Sequence, residues 1–151
     1  MSNQSPRVFA ATDTLAATFS DFIVLVARVL MGWLFLTNGW EKLLHMSMTA
    51  GYLGSLGVPA PQLVAWPAMA TELGIGTAFI LGIATRYAAL VSLPFLVIAT
   101  WLAHRFWELP PAQASDQYIH FCKNLAIFGG SLLLFIAGAG KFSLDAALKK
   151  R

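Results

Sequence analysis

A chain of 151 residues has room for one domain, and with 58% hydrophobic and only 11% charged residues it is neither disordered nor an ordinary soluble protein. The net charge of +3 would suggest nucleic acid in a soluble protein, but here the basic residues read as a membrane-topology signal, and no nucleic-acid partner is expected. The single cysteine, Cys122, excludes an internal disulfide and dithiol chemistry within the chain.

A bilayer core about 30 Å thick needs roughly 20 apolar residues as helix, and four stretches supply them: residues 22–44, 62–84, 87–103 and 119–137. The expected fold class is all-α, an integral membrane four-helix bundle over residues 21–147, with the lipid bilayer as its first partner. Residues 1–20 lack the basic start, apolar core and cleavage site of a signal peptide and read as a retained tail with scope for partial disorder.

On the first span Arg28, Gly32, Phe35, Gly39 and Lys42 fall within roughly 40° of one line, so both cations point the same way. Residues 45–61, with Gly51, Gly54, Gly57, Pro59 and Pro61, form an external loop holding a short helical piece near residues 46–53. The second span carries Glu72 in an otherwise uncharged run. A lone carboxylate there costs at least ~2.5 kcal/mol, so it has a partner or is protonated.

The same span has a small residue at every fourth position, Ala70, Gly74, Ala78 and Gly82, which reads as a close-packing face. Glu72 lies roughly 160–200° from Ala70 and Gly74, away from that face. A very short turn at Thr85 and Arg86 makes the second and third spans antiparallel neighbours. Pro67 and Pro94 are sites for kinks, Gly129-Gly130 is a further close contact, and Cys122 reads as a small packing residue. The loop at residues 104–118 lies at the interface, and a basic tail occupies residues 148–151. Arg7, Arg86, Lys141, Lys149, Lys150 and Arg151 fall on one side of the membrane, which makes both termini cytoplasmic.

Two groups of residues are candidates for chemistry. Arg28 and Glu72 are set roughly 7–8 Å apart in depth by counting 1.5 Å per residue from the span ends, within reach of an ion pair. The alternative is Glu72 as a proton acceptor or ligand-orienting group in a cavity. Toward the outer face Asn38, Glu41, Lys42 and His45 meet His104, Arg105, His120, Lys123 and Asn124, residues from three segments that together form a polar mouth. Taken singly they are interfacial residues, with Trp40, Trp101 and Trp107 as a belt at headgroup level. An external metal site from His45, His104 and His120 is geometrically conceivable, but their spacing is not that of a metal motif, and no metal is expected. No haem, flavin, dinucleotide or phosphate-loop motif is present in the sequence.

The string Arg28-Val29-Leu30-Met31-Gly32-Trp33-Leu34-Phe35, then Asn38-Gly39-Trp40-Glu41-Lys42-Leu43, Gly57-Val58-Pro59 and Glu72-Leu73-Gly74-Ile75-Gly76, resembles the DoxX family of small membrane proteins. Gly82-Ile83-Ala84-Thr85-Arg86-Tyr87-Ala88-Ala89, His104-Arg105-Phe106-Trp107, Lys123-Asn124-Leu125-Ala126 and Ser143-Leu144-Asp145 continue the likeness, which covers roughly residues 28–147. The resemblance implies a four-helix bundle of the bacterial inner membrane and a place in quinone-linked oxidoreductases or oxidative-stress complexes with a soluble redox partner. It carries over no catalytic residue.

The reading that follows is a membrane subunit of a redox complex. It offers a site for a quinone or other lipophilic molecule with Arg28, Asn38, Lys42, Glu72, His104, Lys123 and Asn124 as polar contacts, and electrons come from the partner. The rival is a non-catalytic scaffold or assembly factor in which the same charges lock the helices together. Transport of a small solute ranks below both, because four helices form a tight bundle and no internal repeat is visible. The oligomeric state stays open at this level.

Overall fold

The computed structural model describes residues 7–149, with side chains from Phe9 onward. Residues 1–6 and 150–151, which hold the ends of both expected tails, lie outside the described residues. The chain forms α1 (Arg7–Leu44), α2 (Met46–Ser55), α3 (Pro61–Leu81), α4 (Thr85–Ala103), a 3-10 turn at Phe106–Glu108, α5 (Pro111–Ala137) and α6 (Leu144–Leu148). Of these, α1, α3, α4 and α5 are long and apolar enough to cross a membrane. The protein is an all-α membrane bundle.

Its surface and interior are distributed as a lipid solvent demands. Leu30, Trp33, Leu63, Val97, Ile98, Leu125 and Leu133 are exposed, whereas Arg28, Glu72, Thr85, Ser92, Asn124 and Ser131 are buried. Lipid tails are as apolar as leucine, so sequestering leucine gains little, and the polar groups and small residues turn inward.

The tightest seam joins α1 to α3. The line of Arg28, Gly32, Phe35, Gly39 and Lys42 on α1 is the face that meets it: the first four are buried and Lys42 is half-buried. A methyl group on Gly32 would lie 2.9 Å from the Gly76 carbonyl oxygen, one on Gly39 2.8 Å from the Leu73 amide nitrogen, and one on Gly76 2.5 Å from the Leu36 amide nitrogen. Backbone touches backbone along this line. The stripe of Ala70, Gly74, Ala78 and Gly82 is a packing face only at its C-terminal half: Ala70 and Gly74 are exposed and a methyl group on Gly74 would meet nothing within 4 Å, whereas Ala78 packs on the core and Gly82 is buried against Arg28. Helix α3 packs mainly through Ala65, Met69, Glu72, Gly76 and Phe79, so the carboxylate shares the contact face.

A second seam joins α4 to α5 through polar rungs in antiparallel register. The Ser92 hydroxyl donates to Ala89 O at 2.7 Å and accepts from Ser131 at 2.8 Å, Asn124 donates to Thr100 at 2.9 Å, and the His104 and His120 rings stack with centroids 5.1 Å apart. Phe35 closes the space between the two seams, edge-on to Phe79 and tilted against Phe95.

Several sequence expectations shift in detail. Residues 7–20 continue α1 rather than forming a separate tail. Residues 9–20 are exposed, so this stretch, about 18 Å of helix, stands clear of the bundle. The second turn is Gly82 to Ala84, not Thr85 and Arg86, which already belong to α4. Helix α5 begins at Pro111, two turns earlier than the apolar run alone implies. Pro67 and Pro94 lie inside α3 and α4. Of Gly129-Gly130 only Gly130 is a close contact, against Met31. Cys122 is exposed, because it lies about 160° around α5 from the buried Asn124.

Candidate functional site

The expected Arg28–Glu72 pair does not form. The seam sets Leu73 against Gly39, and Arg28 lies eleven residues before Gly39, roughly 16 Å of helix away. Glu72 Oε2 instead meets Lys42 Nζ at 2.7 Å, with the carboxylate nearly buried and the ammonium about a quarter exposed. The depth count failed because it started both spans at the same level, whereas α1 overruns the end of α3.

Arg28 acts at the other end of the bundle. Fully buried, it donates from Nη1 to the carbonyls of Phe79 (2.8 Å) and Ile80 (3.2 Å) and from Nη2 to that of Phe142 (2.6 Å). The first two belong to the last turn of α3, whose carbonyls have no partner within the helix and carry its negative dipole end. Gly82, at φ +65°, makes this possible, since a Cβ there would strike the guanidinium and Ser143.

Asp145 completes the latch. Its carboxylate accepts from Ala84 N (2.8 Å) and Thr85 N (3.1 Å), capping α4, and its own amide donates to Gly82 O at 2.9 Å. Lys141 binds Asp21 of α1 at 3.0 Å. Arg28 therefore ties α1, α3 and the C-terminal segment together.

The C-terminal end of α4 and the N-terminal end of α5, with the 3-10 turn, border a half-open cavity of about 290 Å³. Its walls are Leu96, Trp101, Trp107, Phe121, Leu125 and Phe128, with Thr100 and Asn124 supplying polar atoms. Asn124 spends one N–H on Thr100; among the described residues its second N–H and its carbonyl oxygen have no hydrogen-bond partner. One helical turn further out, His104 Nδ1 donates to Gln117 Oε1 at 2.8 Å, and Lys123 Nζ lies 3.1 Å from His120 Nδ1. An ammonium only donates, so His120 accepts at Nδ1 and carries its own proton on Nε2.

The seven residues expected to share one site thus fall into four places. His104, Lys123 and Asn124 gather where α4 ends and α5 begins, Lys42 and Glu72 pair in the α1–α3 seam, and Arg28 holds the opposite end. Asn38 is exposed and bonds to Leu34 O of its own helix at 2.7 Å. Among the described residues no three His, Cys, Asp or Glu side chains converge as metal ligands; His45 lies 3.7 Å from Glu41 instead. The sequence reading missed Thr100, Gln117 and Phe121. A signal was present in Thr100 and the helix-ending His104, and in His120 and Asn124 on the next helix, each pair four residues apart.

Comparison with known protein families matches DoxX over residues 23–105, which includes the α1–α3 seam and the turn that Asp145 caps. The chain belongs to the DoxX family. A second match, to the SURF4 family, covers residues 66–151. Among curated relatives, this DoxX chain is 38% identical over 131 residues to inner membrane protein YqjF of Escherichia coli (strain K12), covering 87% of this chain and 95% of that one. It is 32% identical over 123 residues to inner membrane protein YphA of the same organism, covering 82% and 88% respectively. It is 28% identical over 142 residues to the uncharacterized membrane protein Rv3486 of Mycobacterium tuberculosis, covering 85% and 82%. No solved structure matches.

Proposed function

We propose that this DoxX protein is a membrane subunit of a redox complex in the bacterial inner membrane, that it holds the ring of a quinone or similar lipophilic molecule in the outer cavity, and that it docks a soluble oxidoreductase. The observation that carries the reading is Asn124, a carboxamide with an unspent N–H on the wall of an aromatic cavity. A quinone ring is flat and apolar with carbonyl acceptors, so it needs such a donor between flat walls. A volume of about 290 Å³ lies at the lower limit of the ~300–1,000 Å³ usual for small-molecule pockets and suits one ring whose tail stays in lipid.

A bound quinone would accept electrons and protons. The chain's own residues would orient it and manage protons at the mouth: Asn124 donates to a ring carbonyl, Trp101, Trp107 and Phe121 exclude water, and His120 holds a proton on Nε2 beside the Lys123 ammonium. Both termini are assigned to the cytoplasm, on the basic residues gathered at the end of the bundle where α4 begins.

The test is organic extraction of the protein purified in mild detergent, followed by quinone-analogue binding to a Lys123→Leu, Asn124→Leu variant. Co-purified quinone and weaker analogue binding are expected in a variant that still folds, leucine being a good membrane-helix residue that nonetheless removes the Asn124–Thr100 rung. Unchanged binding in the stable variant would remove these residues from the site.

A scaffold or assembly factor is the second reading. One observation favours it: Arg28, Lys42, Glu72 and Asp145 all spend their charges tying segments of the bundle together. Absence of quinone from the native protein would make this the better account.

A further inference from the structure

At the end of the bundle opposite the aromatic cavity, a second cavity of about 320 Å³ opens between the start of α4, the end of α5 and α6. Its lining mixes alanines and glycines with two cations, Arg86 and Lys149, and with Tyr87 and Asp145 beside them. The Asp145 carboxylate is already engaged by the two amides at the start of α4, one at each oxygen. Arg86 lies against Gly138, where a Cβ would come within 3.0 Å of its Nε, and gives one N–H to Ile136 O at 3.1 Å. That bond makes Arg86 a cap on the C-terminus of α5, a structural role that uses one of five guanidinium donors. It does not account for Lys149, which is exposed and has no ion pair among the described residues.

Depth identifies the kind of anion. Arg86 is in the first turn of a membrane-crossing helix, and its neighbour Tyr87 is 74% exposed, as an aromatic at the headgroup level is. A cavity with two cations at this level meets the phosphates of the bilayer before any other anion, and basic pockets between membrane helices are headgroup sites. We propose that this cavity binds the phosphate headgroup of an anionic phospholipid. Arg86 gives charge-assisted hydrogen bonds to the phosphate oxygens, Lys149 supplies the second charge, and Tyr87 packs against the glycerol and upper acyl chain.

Free phosphate shares this chemistry, and the experiment separates the two sources. The purified protein is titrated in mixed micelles with phosphatidylglycerol, with phosphatidylcholine, and with inorganic phosphate, and both retained lipid and melting temperature are read. Phosphatidylglycerol should be retained and raise the melting temperature, while phosphatidylcholine and inorganic phosphate should do neither. Lys149→Gln, which breaks no side-chain bond of the fold, should weaken retention about five-fold, the usual worth of one cation near an anionic surface. Arg86→Gln with Lys149→Gln should weaken it further, whereas Arg105→Gln at the far end should leave it unchanged. The proposal is overturned if phosphatidylcholine or inorganic phosphate reproduces the effect, or if Lys149→Gln retains phosphatidylglycerol as the native chain does.

Discussion

Alanine at Gly76 would test the α1–α3 seam, because the added methyl group meets only atoms that cannot rotate away. It would lie 2.5 Å from the Leu36 amide nitrogen, 2.8 Å from Leu36 Cα and 2.9 Å from the Gly32 carbonyl oxygen. Carbon contacts are comfortable near ~3.5 Å, so the two helices must part by roughly 1 Å along the seam. Overpacking of this kind costs about 1–3 kcal/mol. At Gly74, two residues earlier on the same helix, the same methyl group meets nothing within 4 Å. There the change removes a poor helix former and should stabilise by up to ~1 kcal/mol. One chemical change on one helix therefore has opposite signs at two positions, separated by about 1–4 kcal/mol, at least about five-fold in the unfolding equilibrium. Reversible unfolding in mixed micelles, followed by tryptophan fluorescence, measures both. Gly74→Ala losing as much as Gly76→Ala would refute the seam and restore the whole stripe of Ala70, Gly74, Ala78 and Gly82 as the packing face.

The remaining expectations use the same assay or a simple reporter. Lys42→Met and Glu72→Gln should each destabilise by stranding the other charge, and the double variant should recover about 1–3 kcal/mol of the summed loss. Purely additive losses would deny the pair, and a cycle between Arg28 and Glu72 should be additive within ~0.5 kcal/mol. Asp145→Ala should cost about 1–2 kcal/mol by uncapping α4, with Asp145→Asn recovering part of it; a neutral result would mean that water replaces the carboxylate without loss. A fluorescent protein fused after the C-terminus should fluoresce and a phosphatase fusion should be inactive; the reverse would invert the assigned topology.

What the sequence disclosed and what it withheld divide along one physical line. Periodicity within a single helix was legible: Arg28, Gly32, Phe35, Gly39 and Lys42 were grouped correctly because spacings of three and four residues return to one face. Register between helices was not. Glu72 was assigned to the wrong cation because an end-to-end depth count cannot detect that α1 overruns the end of α3, and that overrun shifts every pairing along the seam. The stripe of small residues on α3 misled for a related reason. Small residues permit close approach without requiring it, and the neighbour chose the face that holds Gly76 and Glu72. At the junction of α4 and α5, Lys123 and Asn124 were visible as polar residues inside a span. Thr100 and Gln117 gained significance only when α4 and α5 were laid side by side.

The latch at Phe142 and Asp145 has a consequence for biosynthesis. A ribosome delivers α1 and α3 to the membrane long before it makes residue 142, so the Arg28 guanidinium waits through most of translation with one of its acceptors not yet in existence. The turn before α4 likewise lacks its cap until Asp145 emerges. Insertion of the four spans and consolidation of the bundle are therefore separate events. A product interrupted between Ala137 and Phe142 would have every crossing helix, but its Arg28 would keep only the Phe79 and Ile80 carbonyls and lack the one that ties the C-terminal segment to α1.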